Sequence, residues 1–306
     1  MTDTSEPVAK HLYKHGLPFD PLLHTNLEKL NFRVQKEKKA GLIIISGGVG
    51  LGKTTLLTHV LDDINKINGQ PPIEFDGCQM AMGGVDFLKK LRVCFDEKKV
   101  CIGYDEAGDF SKRGSLTSFN AMLNRTFETF RAFKCIVVLA LPNFNVLDNQ
   151  IFDNQIPRML IHVTGRNMSY GDFAVYDLMN MNWLRYWMKK SAIKDYAWGR
   201  VHPNFRGHFL DLESERSKQL DEVSTNNKLK ILRKSEVKVE GLLTKPEIAQ
   251  KLGVSVSWVT MALTNLKIKN TRRIEHIGYY DQTIVARLSE HQDNTAPLGR
   301  PRTRGM

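Results

Sequence analysis

The sequence predicts an α/β protein, a mainly parallel sheet covered by helices on both faces, with a small, more basic unit behind it. Three observations carry this. Short apolar runs rich in β-branched residues alternate with helical stretches from Gly41 onward, and runs apolar on both parities belong to strands buried on both faces. The chain has 306 residues, roughly twice a common domain, so a core of about 200 residues plus an appendage is expected. Charge is uneven: of a net +11, residues 225–306 hold 15 Lys and Arg against 7 Asp and Glu, which leaves 29 against 26 for the rest. Such an asymmetry points to a polyanion-binding appendage on a nearly neutral body. With 42% hydrophobic and 25% charged residues, wholesale disorder and fibrous architectures are excluded.

In chain order, residues 1–40 read as a polar lead followed by an amphipathic helix, Asn26 to Lys38, with Leu27, Leu30 and Val34 on one face. The expected strands are Leu42 to Ser46, Ile73 to Phe75, Val100 to Tyr104, Ile136 to Leu141, Met159 to Thr164 and Gly171 to Leu178. Between them the periodicity predicts helices at Lys53 to Asn68, Val85 to Phe95 and Leu116 to Phe133, and after them one at Asn182 to Lys190. The main domain is expected over 41–210, a charged exposed helix or connector without aromatics over 211–240, a second unit over 241–290, and a disordered Gly/Pro/Arg tail over 291–306. Cys78, Cys94, Cys101 and Cys135 form no C-x-x-C pair and read as buried free thiols. No apolar run approaches the roughly 18 residues of a membrane span, and the polar N-terminus offers no secretory segment. The expectation is a cytoplasmic protein with no membrane anchor.

The strongest local signal is Gly47-Gly48-Val49-Gly50-Leu51-Gly52-Lys53-Thr54, which fits G-x-x-x-x-G-K-[ST] between a predicted strand and a predicted helix. Glycines let successive backbone N–H groups turn toward one point, and the helix N-terminus adds its positive dipole end. Gly47, Gly48, Val49, Gly50, Leu51, Gly52, Lys53, Thr54 and Thr55 are therefore the candidate residues for holding ATP, with Lys53 reaching the terminal phosphates and the Thr54 hydroxyl offered to Mg²⁺.

Hydrolysis needs a carboxylate for the metal and a second acid to polarise water. The apolar strand Val100 to Tyr104 ends in Asp105-Glu106. Asp105 is the candidate metal residue and Glu106 the candidate general base. Asn143, after the strand ending at Leu141, is a candidate sensor of the terminal phosphate or the lytic water, while Arg125, Arg131, Arg158 and Arg166 are candidates for a finger inserted into a neighbouring subunit.

Over roughly residues 41–180 the chain resembles the FtsK/HerA superfamily of DNA-pumping ATPases, including its viral and plasmid members. The resemblance rests on Arg131 to Pro142, Ile151 to Arg158, and Ile161-His162-Val163-Thr164-Gly165-Arg166. In that superfamily an Arg-Ala pair precedes the sensor strand, as Arg131-Ala132 does here, and an arginine closes the next strand, as Arg166 does. The family carries Gln at the end of the sensor strand; here Ala140 and Leu141 take the nearest places and Asn143 follows. What the resemblance implies is a RecA-like P-loop NTPase that assembles as a hexameric ring and threads double-stranded DNA.

Lys245 to Val259 places Ala249, Gly253 and Val259 at relative positions 5, 9 and 15. Two helices crossing at a tight turn need a small residue at their contact, a glycine at the left-handed turn and a branched residue locking the second helix. The segment is similar to bacterial and archaeal helix-turn-helix domains, with Thr244 and Ser255 as helix caps and a wing running to Tyr280. Candidate DNA-binding residues are Ser255, Ser257, Trp258 and Met261, beside Val256, with phosphate contacts from Lys267, Lys269, Arg272 and Arg273. Gly299-Arg300-Pro301-Arg302 resembles the core of a minor-groove AT-hook. Together these features predict an Mg²⁺-dependent ATPase that moves or packages double-stranded DNA for a plasmid or virus. The alternatives are an AAA+ replication initiator or loader, an ATP-switched DNA-binding regulator, and a membrane-associated assembly ATPase. A strand at Gly171 to Leu178 weighs against the initiator, where a helical lid belongs.

Overall fold

The apolar runs of the first two thirds of the chain line up as one seven-stranded sheet. The computed structural model describes residues 5–39, 41–105, 133–166, 170–190, 196–236, 242–274 and 277–295. The chain divides into two compact units, Met1–Lys228 and Leu229–Met306. In the first, α1 (Ser5–Lys14) and α2 (Pro21–Glu37) lead into β1 (Gly41–Gly47) and α3 (Lys53–Ile67). Then follow β2 (Met80–Met82), α4 (Gly84–Asp96), β3 (Cys101–Asp105), β4 (Ile136–Leu141), the short α5 (Asn149–Asp153) and β5 (Pro157–Arg166). β6 (Tyr170–Tyr176), α6 (Leu178–Lys190), α7 (Tyr196–Arg200) and β7 (Phe205–Leu210) follow, and α8 (Ser214–Glu236) runs past Lys228, the last residue of this unit. The strand order is β2-β3-β4-β1-β5-β6-β7. β1 to β5 run parallel, β6 runs antiparallel to β5, and β7 pairs antiparallel with β6 and so regains the direction of β1 to β5.

Period-two alternation splits each central strand between two cores. Leu42, Ile44, Ile102, Tyr104, Val137 and Leu139 face one side, with Phe87 and Leu91 of α4 and Met181 and Leu184 of α6. Ile43, Ile45, Ile136 and Val138 face the other, against Leu56, Leu57, Val60, Leu61 and Ile64 of α3. At Gly103 α3 comes so close that a Cβ would lie 2.6 Å from Leu61 Cδ1 and 3.1 Å from Leu57 Cδ1.

Several boundaries differ from the sequence expectation, each for a local reason. The segment of α2 does not stand apart: Leu23, Leu27, Leu30 and Val34 are buried in the α3-side core, with Phe19 beside them. Ile73 to Phe75 forms no strand. Pro71-Pro72 precede it and lack donors, and the Ile73 backbone is engaged by side chains, its N–H donating to Asp62 Oδ1 at 2.8 Å and its carbonyl accepting from Arg216. The edge strand is instead Met80–Met82. β7, with Gly207 between Phe205 and Phe209, lies in a segment the sequence left unassigned, whereas of the two readings of the charge-rich segment the helix is the one found, as α8. The predicted helix at 116–133 lies outside the described residues save Phe133.

The second unit contains β8 (Leu242–Thr244), α9 (Lys245–Leu252), α10 (Val256–Asn265), β9 (Arg272–Ile274), β10 (Ile277–Asp281) and α11 (Thr283–Thr295). Its strands pair antiparallel in the order β8-β10-β9. Leu243, Ile248, Val259, Leu263, Tyr280, Ile284 and Leu288 form its core. α11 continues to Thr295, so residues 291–295 of the expected tail are helical; residues 296–306 lie outside the described residues.

Candidate functional site

The glycine-rich loop leaves the carboxyl end of β1 and enters α3 at Lys53, the edge at which open α/β sheets bind ligands. Two glycines make the turn possible. Gly50 and Gly52 have φ of +79° and +86°, a region that costs an L-residue roughly 1–2 kcal/mol. Val49 projects at the tip, 93% exposed. The Lys53 ammonium folds back over the loop, donating to the carbonyls of Gly47 (3.0 Å) and Gly48 (2.7 Å). Thr54 and Thr55 sit in the first turn of α3, half-buried.

Thr54 Oγ1 donates to Asp105 Oδ2 at 2.8 Å. This bond joins the first turn of the loop helix to the end of β3, although β4 stands between β1 and β3 in the sheet. A phosphate loop after β1, an acid closing β3 and one parallel strand inserted between them define the architecture. The fold is that of a RecA-like P-loop NTPase. A hydroxyl and a carboxylate side by side are hard oxygen donors of the kind Mg²⁺ takes, and the loop's glycines and helix N-terminus suit a polyphosphate. The described residues therefore fit a metal-nucleotide complex.

No family model matches the chain, and no curated protein matches it. Among solved structures it is similar to the N-terminal domain of zonular occludens toxin from Neisseria meningitidis, at 13% identity and TM-score 0.27, over 45% of this chain and 84% of that one. It is also similar to the flagellar accessory protein FlaH from Methanocaldococcus jannaschii (16% identity, TM-score 0.26, 49% and 83%). A third is the replication initiator DnaA bound to AMPPCP and single-stranded DNA (13%, TM-score 0.31, 89% and 88%).

The other expected site residues fall in different places. Asn143 follows β4 at the same sheet edge, but its Oδ1 accepts the Asn145 N–H at 2.9 Å and caps the turn Phe144–Val146. A sensor role is left to its amide nitrogen. Arg166 closes β5 at the loop end of the sheet, since Gly47 pairs with Val163. Arg158 stands near the far end of that strand, next to the residue paired with Leu42, which removes it from the loop edge of its own sheet. Glu106, Arg125 and Arg131 lie outside the described residues.

Beneath the loop is a layer that motif reading missed. Ser46, the last residue before the first loop glycine, bonds through Oγ to His162 Nδ1 at 2.9 Å, and the His162 ring stacks on Trp198 with centroids 3.7 Å apart. Farther along α3, His59 Nε2 donates to the carbonyl of Leu210 at 2.9 Å. Burial pulls its pKa down to about 4, so the imidazole is neutral. The sequence signal at Ser46 is its place against the loop; Trp198 gave none, because its contact with His162 depends on the fold of β5 and α7. All four cysteines are free, and burial pushes their thiols above the ordinary range, Cys135 to about 12. They are poor nucleophiles.

In the second unit α9 and α10 meet through the buried Ala249, Val259 and Ala262, and Gly253 makes the turn at φ +65°. Glu247 Oε2 accepts from both the N–H and the hydroxyl of Thr244 at 2.8 Å. Ser255 Oγ accepts the Trp258 N–H at 3.1 Å and so caps α10. Trp258 is half-buried and packs against the core of this unit, with its ring 6.3 Å from that of His291, so it stands apart from the exposed residues of the helix. Ser257 and Met261 are exposed together with Val256. Lys267 and Lys269 are exposed beyond the end of α10, and Arg272 and Arg273 lie on β9.

Proposed function

We propose that the chain is an ATP-hydrolysing motor that works as an oligomeric ring and translocates or packages double-stranded DNA, with its second unit a winged helix-turn-helix that docks the ring on the duplex. The observation that supports the ATPase reading is the Thr54–Asp105 hydrogen bond, which holds the two candidate metal-binding groups together beside the loop. Bound there, a nucleoside triphosphate supplies the phosphoanhydride whose cleavage powers the motor. Lys53 would exchange the loop carbonyls for phosphate oxygens, Thr54 and Asp105 would hold Mg²⁺, and the loop N–H groups would steady the phosphates. Glu106, next in the chain to Asp105, takes the proton of the attacking water. Arg166, Arg131 or both serve a neighbouring subunit's site, where positive charge stabilises the transferring phosphoryl group.

The continuation of β5 into the antiparallel β6 and β7 supports the motor over an initiator with a helical lid. The basic excess of residues 225–306 supports a duplex as the partner. Among the described residues no helix is long and apolar enough to cross a membrane. The test is ATP turnover with and without linear duplex, alongside the mass of the assembly in Mg·ATP. Stimulation by duplex and a ring-sized mass are expected. Equal turnover with and without DNA from a monomer overturns the motor.

A further inference from the structure

The outward face of α10 carries no charge. Val256, Ser257, Thr260, Met261, Thr264 and Asn265 are all exposed and line a shallow hollow of about 440 Å³. At the 3.6-residue period they form two stripes, Val256-Thr260-Thr264 and Ser257-Met261-Asn265. In the first stripe both threonine hydroxyls turn back along the helix, Thr260 Oγ1 donating to Val256 O at 3.0 Å and Thr264 Oγ1 to Thr260 O at 2.9 Å. With the hydroxyls so engaged, methyl groups are what the stripe presents. Met261, 56% exposed, and Val256, 44% exposed, add apolar surface. Positive charge follows the helix, at Lys267 and Lys269, and does not lie on its face.

From this chemistry we infer that the α10 face reads A·T-rich duplex DNA in the major groove through thymine methyl groups. The inference rests on the proposed function in taking double-stranded DNA as the partner. Guanine is read by Arg or Lys at O6 and N7, and cytosine by an acidic acceptor at N4; the face offers neither. Thymine presents a C5-methyl, which apolar side chains contact, and adenine presents the donor–acceptor pair that an amide such as that of Asn265 matches. A bare apolar face in a segment of net positive charge suits a partner that is anionic outside and methyl-lined within. The lysines beyond the helix supply the sequence-independent attraction to phosphate.

The test is fluorescence anisotropy of the full chain on three duplexes of equal length: one A·T-rich, the same duplex with every thymine replaced by uracil, and one G·C-rich. Uracil deletes the major-groove methyl and leaves pairing and the minor groove unchanged, so minor-groove contacts from any other segment do not register. Burial of one methyl is worth about a fourfold change in affinity. A tenfold or greater loss on the uracil duplex is therefore expected for two or more contacted methyls. The double variant Val256→Ala/Met261→Ala, altered only at exposed positions, should narrow the difference between thymine and uracil duplexes, the Thr260 and Thr264 methyls keeping the remainder. Lys267→Gln should weaken both by the same factor. Equal affinity of the unaltered chain for thymine and uracil duplexes overturns the methyl reading while leaving DNA binding intact. No binding to any duplex overturns the double-stranded DNA reading beneath it. Self-association abolished by Met261→Asp, without DNA binding, assigns the face to a second copy of the chain and overturns both.

Discussion

His59→Gln should flatten the acid side of the protein's stability curve. The His59 imidazole is 7% exposed, and its pKa lies near 4 in the fold against 6.5 as the ordinary value, chiefly because burial penalises the cation. The unfolded chain takes up this proton as pH falls through 6.5, whereas the folded chain waits until about 4. Between those values the unfolded state binds more protons, so stability drops with pH. At 1.36 kcal/mol per unit, moving from pH 7.5 to 5.5 costs about 1.4 kcal/mol through this one group, and continuing to pH 4 brings the loss to about 3 kcal/mol. For a unit of this size 1.4 kcal/mol is a fall in Tm of roughly 3–6 °C. Glutamine keeps a donor for the Leu210 carbonyl but has no proton to take up. Asp62 and Asp63, whose carboxyls burial pushes above the usual range, act in the opposite sense at lower pH. They are common to both chains and cancel in the comparison. Calorimetric melts at pH 7.5 and 5.5 should show the Tm drop smaller in the variant by those few degrees. An identical drop in the two proteins would refute the assignment of a buried neutral imidazole at the base of the loop helix.

Three further outcomes follow from the site and the core. Lys53→Ala should weaken Mg·ATP at least about a hundredfold, because the loop loses its mobile positive charge; titration calorimetry showing wild-type heat and affinity would contradict the loop's role. Glu106→Gln should retain that heat while steady-state turnover falls about 10²- to 10⁴-fold, the ordinary worth of a general base, and unchanged turnover would remove Glu106 from the mechanism. Gly103→Val should cost about 1–3 kcal/mol by overpacking, since the added carbons meet Leu61 and Leu57, both fully buried. A urea midpoint equal to that of the parent would show that α3 can move off the sheet.

The phosphate loop, the acid ending β3 and the capped turn of the second unit were legible in the sequence because each is a local device: glycines at turns that need positive φ, a carboxylate closing an apolar run, hydroxyls ahead of helix starts. The unbroken apolar runs of β1 and β4 likewise revealed strands buried on both faces, because both parities are apolar along each run. Ile73 to Phe75 shows where that reasoning stops. The segment has the apolar alternation of a strand, yet the backbone of Ile73 is taken by the side chains of Asp62 and of Arg216, the second distant in sequence.

Tertiary structure alone decided which distant groups meet. The order β3-β4-β1 brings Asp105 to Thr54 across an intervening strand. The fold also sets His162 under Ser46 and on Trp198, and it settles exposure along α10, where Trp258 packs inward while Met261 stays out. Hydrophobic periodicity records only that a face is covered. What covers it is settled by how strands are ordered and helices crossed, and those are sums over contacts between residues far apart in the chain.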